Sequence, residues 1–104
     1  MSKYIFGYHG RAITADTAPQ DQAVMAAWRQ WFGNMGPALV DIGNPAGPSQ
    51  VLAGNGSISK PTGVGLTGYS IVEADTMETA MKLAQGCPIF AAGGSIEVAE
   101  LMPM

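Results

Sequence analysis

Residues 68–104 read GYSIVEADTMETAMKLAQGCPIFAAGGSIEVAELMPM, a strand, a capped helix and a second strand in one short unit, and this order decides the fold. Residues 69–73 are rich in aromatic and β-branched side chains, as a half-buried strand requires. Asp75 and Glu78 form an Asp-x-x-Glu pair, in which the first side chain accepts from an amide one turn on and the second answers back, so the helix is predicted to start at Asp75. Met77, Ala80, Met81 and Ala84 follow at i, i+3, i+4 and i+7, an apolar stripe on one helical face. Gly86 supplies a positive-φ stop with Pro88 just beyond. After Ala-Ala-Gly-Gly, residues 95–101 return to strand character, and Pro103, with no amide to donate, ends the ladder.

Upstream, residues 3–9 read KYIFGYH, with Tyr4, Phe6 and Tyr8 on one face and Ile5, Gly7 and His9 on the other, a strand that wants cover on both sides. Asp16 or Thr17 can cap the next helix, with Pro19 in its first turn and Val24, Trp28, Trp31 and Met35 along its apolar face, until Gly36-Pro37 stops it. Residues 38–40 lead into a turn-forming run, DIGNPAGP, at 41–48. Residues 50–53 are a short strand candidate, and Gly54-Asn55-Gly56 followed by 57–59 suggests a turn and a small extra strand.

The order is β-α-β-β-α-β. Two strand-helix-strand units with right-handed crossovers give an α+β, ferredoxin-like fold: a four-stranded antiparallel sheet with both helices on one face. The other face of the first strand is also apolar, so a homodimer pairing sheet to sheet, a dimeric α/β barrel, is expected. The 104 residues fit a single domain, 1–104.

Composition supports an apolar interface. Only 12% of residues are charged and 47% are hydrophobic, against roughly 25% charged in an ordinary soluble domain. The net charge of -3 and five dispersed Lys and Arg residues offer no track for phosphates, which argues against a nucleic-acid partner. No apolar run approaches the ~18 residues of a membrane span, and Cys87 stands alone. A cytoplasmic protein with no membrane partner is expected. One His and one Cys do not make a zinc motif, so no metal and no cofactor are expected. Gly63-Val64-Gly65-Leu66-Thr67-Gly68 spells a dinucleotide fingerprint, but it precedes a strand and opens no helix, so it lacks the helix N-terminus that would hold a pyrophosphate.

Three segments, KYIFGYHG, WRQWFGNMGPALVDIGNP and GYSIVEADTMETAMKLAQGCPIFAAGGSIEVAEL, together resemble the YCII-related family of small bacterial proteins. The resemblance implies a dimeric ferredoxin-like barrel and an activity inferred from a His and Asp pair near a cleft. His9, the single histidine here, ends the first strand, whereas the family's proposed catalytic His stands near the start of the first helix. Asp41 falls where family members carry a loop acid.

Histidine is the side chain whose ordinary pKa, ~6.5, suits proton transfer at neutral pH, which makes His9 the candidate base. Asp41 could fix its tautomer and orientation, or simply open an Asx turn; Asn44 shares that ambiguity. Tyr8, Trp31, Asn44 and Tyr69 are candidate substrate contacts, with packing the plainer role for Trp28, Trp31 and the two tyrosines. Glu73 and Glu97 are carboxylates on strands, which edge solvation explains. Cys87, beside a helix C-terminus that disfavours a thiolate, reads as structural. Two functions compete: a cofactor-free acid-base enzyme of lyase, isomerase or dehalogenation type acting on a small organic or aromatic molecule, and a non-catalytic small-molecule-binding or regulatory dimer.

Overall fold

A computed structural model describes residues 1–10, 18–61 and 65–103, with the side chains of 18–22 also outside the description. Strand β1 (Ser2–His9) is followed by helix α1 (Ala18–Met35), a 3-10 turn (Gly36–Ala38) and strand β2 (Leu39–Asp41). A hairpin of β3 (Val51–Leu52) and β4 (Ile58–Ser59) precedes β5 (Leu66–Ala74), helix α2 (Met77–Ala84), a second 3-10 turn (Pro88–Phe90) and β6 (Ser95–Leu101). The main sheet runs β2-β5-β1-β6 and its pairs are antiparallel. This is the ferredoxin-like arrangement, with the first and third long strands central because each crossover helix must return over the same face.

The period-2 alternation of β1 and β5 sets the core. Tyr4, Phe6 and Tyr8 of β1 and Gly68, Ser70, Val72 and Ala74 of β5 point under the helices and are buried, while their neighbours, Gly7 excepted, are half-covered or exposed. Helix α1 covers this surface with Trp28, Trp31, Phe32 and Met35. The rings interlock edge to face: Tyr8 to Trp28 at 4.9 Å between centroids, Trp28 to Trp31 at 5.6 Å. Trp31 Nε1 donates to the Leu83 carbonyl at 3.1 Å, which ties α1 to α2. Of the expected stripe, Val24 is exposed, because the sheet meets only the C-terminal half of the helix's apolar face.

Helix α2 differs from expectation in two respects. Its N-cap is Thr76 and not Asp75: Thr76 is extended (φ -142°), and its Oγ1 accepts from the Thr79 N–H at 3.1 Å. The β5 ladder runs on to Ala74, so Asp75 is still part of the approach and the first residue free to cap is Thr76. The buried stripe is Ala80 and Ala84, with Leu83 beside it, whereas Met77 and Met81 are exposed. The two alanines let the helix backbone sit close to the sheet, which turns the longer methionines to the flank. Gly86 (φ +85°) ends the helix as the sequence requires.

The strand candidate at 50–53 does not join the main sheet. Val51 pairs with Ser59 and Leu52 with Ile58, forming a separate two-stranded ladder whose residues are all exposed. Asp16 and Thr17, the expected caps of α1, and Gly63 and Val64 of the Gly63 to Gly68 run lie outside the described residues. Among the described residues no helix is long and apolar enough to cross a membrane.

Candidate functional site

The outer face of the sheet, away from the helices, holds the chemistry. On β1 it presents Ile5, Gly7 and His9; on β5, Tyr69 and Ile71; on β6, Glu97 and Ala99. Gly7 stands opposite both Tyr69 and Glu97. Having no side chain, it lets the Leu66 side chain lie over it: a Cβ on Gly7 would meet the Leu66 methyl at 3.2 Å, and Gly7 is itself buried.

His9 and Glu97 meet on this face, with His9 Nε2 3.1 Å from Glu97 Oε1. His9 pairs directly with Ser95, so Glu97 is its diagonal neighbour, a separation long side chains span. The register that brings them together depends on Gly94, where a Cβ would lie 2.6 Å from the His9 carbonyl oxygen, so only glycine lets β6 start this close to β1. A carboxylate accepts, so Nε2 is the donor in this contact. The Glu97 side chain is 76% exposed and that of His9 25%. In water such a pair orients the ring more than it stabilises the fold, contributing at most about 1 kcal/mol.

The structure does not bring Asp41 to His9. Asp41 is on β2, at the opposite edge of the sheet from β6, and pairs with Ile71 in the row of Ile5, four residues along β1 from His9. Its Oδ1 accepts the Gly43 N–H at 2.8 Å, the Asx turn that its sequence context also allowed. Gly43 (φ +77°) completes that turn, and a Cβ there would overlap the Tyr69 carbonyl oxygen. Asn44 is exposed, and its backbone oxygen accepts from the Tyr69 amide at 3.2 Å.

The sheet also divides the expected substrate contacts. Tyr69 shares the outer face with His9, but Tyr8 and Trp31 lie beneath the sheet at 5% and 6% exposure. The Tyr8 hydroxyl donates to Ser70 Oγ at 2.8 Å, and Ser70 passes the bond on to the Ile42 carbonyl at 2.7 Å. Burial holds the Tyr8 phenol well above its ordinary pKa. Burial likewise pushes the Cys87 thiol up to about 11, so it is a packed side chain and not a nucleophile. Glu97 is the site residue that sequence reasoning passed over. Its signal was a carboxylate alternating with apolar residues in SIEVAEL, and only the β1–β6 register shows that it faces a histidine.

A separate concavity of about 490 Å³ opens between the base of the hairpin and the end of the sheet, lined by Gly10, Ser49, Lys60, Leu66 and Thr67 among others. Neither His9, Glu97 nor Asp41 lines it. Among the described residues no three His, Cys, Asp or Glu side chains gather as a metal would require.

No family model matches the chain, and no curated protein is detectably similar to it in sequence. Its structure is similar to that of 5-chloro-2-hydroxyhydroquinone dehydrochlorinase from Burkholderia phenoliruptrix, solved in complex with 2,5-dihydroxybenzoquinone. The match has a TM-score of 0.59 and 13% identity, and covers 96% of this chain and 93% of that one. The similarity spans nearly the whole of both chains and establishes a shared fold.

Proposed function

We propose that the chain is a YCII-like, cofactor-free acid-base enzyme of the cytosol, acting as a homodimer on a small hydroxylated aromatic or quinoid molecule. The observation that carries this reading is the His9–Glu97 pair on the outer face of the sheet, beside Gly7 and the Leu66 side chain that lies over it. Glu97 fixes the tautomer and His9 takes a proton from a ring hydroxyl, the role that His-carboxylate pairs play elsewhere. Ile5 and Ile71, paired across β1 and β5 on the same face, add apolar surface beside the pair. A second subunit laid on this face would expel water from the pair and strengthen both the hydrogen bond and the orientation it imposes. The structural neighbour removes hydrogen chloride from a chlorinated hydroxyhydroquinone, and its bound dihydroxybenzoquinone is a molecule of this class.

The test is chloride release from chlorinated hydroxyhydroquinones, with 2,5-dihydroxybenzoquinone as a binding probe. His9→Asn is expected to lower kcat by about 10²–10⁴ with little change in probe affinity, the usual contribution of a positioned base. Turnover unchanged in His9→Asn would end this reading. A non-catalytic ligand-binding dimer is favoured by one observation, that the concavity of about 490 Å³ beside the hairpin is lined without His9 or any carboxylate. Tight probe binding weakened by Lys60→Ala, with no turnover of any chlorinated ring, would select it.

A further inference from the structure

We propose that the β3–β4 hairpin is an intersubunit arm that lies against a second copy of this chain. The inference rests on the homodimer reading above and goes beyond it in assigning the hairpin a role. Four observations converge on this occupant.

First, the apolar side chains of the hairpin are left exposed among the described residues. Val51, Leu52 and Ile58 are 46%, 71% and 64% exposed. A lone two-stranded hairpin is at best marginally stable in water, so an ordered one with apolar side chains calls for a surface to lie on. Second, the molecule is drawn out around it. The chain measures 42 × 42 × 19 Å with a radius of gyration of 14.8 Å, against roughly 13 Å for a compact domain of this length.

Third, the sheet face alone is too small for a stable pair. Three strands of seven to nine residues and a three-residue edge strand, at ~4.8 Å spacing and ~3.4 Å per residue, outline no more than about 450 Å². A standard interface buries about 800 Å² per partner, so the sheet needs an added surface, and the exposed apolar residues of the hairpin supply one. Fourth, the charges are complementary. From 42 to 72 the only charged residue is Lys60, so the arm is a cation, whereas the rest of the chain sets eight acids against four bases, a net -4. A copy of the same chain therefore offers the arm both apolar surface and opposite charge.

The test compares the full chain with Leu52→Asp, with Ile58→Asp and with Lys60→Glu by sedimentation equilibrium. Far-UV circular dichroism verifies the fold, which these exposed positions leave unchanged. The arm variants Leu52→Asp and Ile58→Asp are expected to raise the dimer dissociation constant by about a hundredfold or more. Lys60→Glu is expected to weaken the dimer less, with a loss that shrinks at 0.5 M salt as screening predicts. A wild-type chain that is monomeric at ~100 µM would overturn the dimer reading and this inference with it. A wild-type dimer whose dissociation constant is the same in all three variants would overturn the arm alone. So would variants that stay dimeric but lose 2,5-dihydroxybenzoquinone binding, since the hairpin would then be a flap over its own subunit.

Discussion

Ser70→Ala tests how the sheet positions its loops. Ser70 is completely buried on the helix side of β5, where its Oγ accepts from the Tyr8 hydroxyl at 2.8 Å and donates to the Ile42 carbonyl at 2.7 Å. Alanine removes both bonds without opening a sizeable cavity. The Tyr8 hydroxyl is then left in an apolar site with no acceptor, at a cost of about 1–3 kcal/mol, while the Ile42 carbonyl, closer to solvent, loses about 1 kcal/mol. The expected total is about 2–4 kcal/mol, which at ~4–8 °C per kcal/mol for a domain of this size lowers Tm by roughly 10 °C or more. Tyr8→Phe should cost only about 1 kcal/mol, because Ser70 keeps its bond to Ile42. The double variant should be more stable than Ser70→Ala alone, since removing the stranded hydroxyl removes the largest penalty. Urea denaturation of all four proteins at one fixed concentration gives the cycle, and the fixed concentration keeps subunit association from entering the comparison. If Ser70→Ala falls within 0.5 kcal/mol of the parent, or if the two changes simply add, the relay from β1 through β5 to the Ile42 loop has no energetic meaning.

Trp31→Phe should lose about 1 kcal/mol, the bond to the Leu83 carbonyl, while Trp31→Ala should lose about 3–5 kcal/mol by opening a core cavity, both read from denaturation midpoints. Gly43→Ala should destabilise by at least about 2 kcal/mol, because φ is +77° and the added carbon overlaps the Tyr69 carbonyl; a neutral result would mean the Asp41 turn is not built this way. Asp41→Asn keeps an oxygen for the Gly43 amide and should leave turnover intact, whereas Glu97→Gln should lower kcat about tenfold with KM unchanged; equal losses in both would return Asp41 to the catalytic pair. Burial raises the folded pKa of both Cys87 and Tyr8, so the fold favours their neutral forms. The Cys87 contribution is fully present below pH ~9 and is lost as pH rises through about 11, so stability against urea should fall across that window, and a Cys87→Ala chain should show a shallower decline.

Much of the fold was legible in one dimension, since strand and helix periods are local properties of the backbone. The alternation in KYIFGYH separates a core face from an outer face, and Gly36-Pro37 and Gly86 end the two helices where the chain must take a positive φ or give up an amide. The order of elements then admits few topologies, and the ferredoxin-like sheet follows. Cap and stripe details were less secure: Thr76 displaced Asp75 because the β5 ladder ran one residue further, to Ala74, than its aromatic content implied, and Ala80 and Ala84 displaced the methionines because close packing favours the smaller side chain.

The site was a different matter, because it joins residues far apart in the chain. His9 could be singled out from the sequence as the lone histidine, yet its carboxylate partner depended on register: His9 lies opposite Ser95, which puts Glu97 one diagonal away and leaves Asp41 on the far edge strand. No local pattern encodes which strand lies beside which, or that Tyr8 and Tyr69 fall on opposite sides of one sheet. The amino-acid order therefore determined the elements and the fold they assemble into, through periodicity and backbone stereochemistry. Tertiary structure alone decided which acid meets the base, because strand pairing across 88 positions of sequence is settled only when the core closes under β1 and aligns β6 beside it.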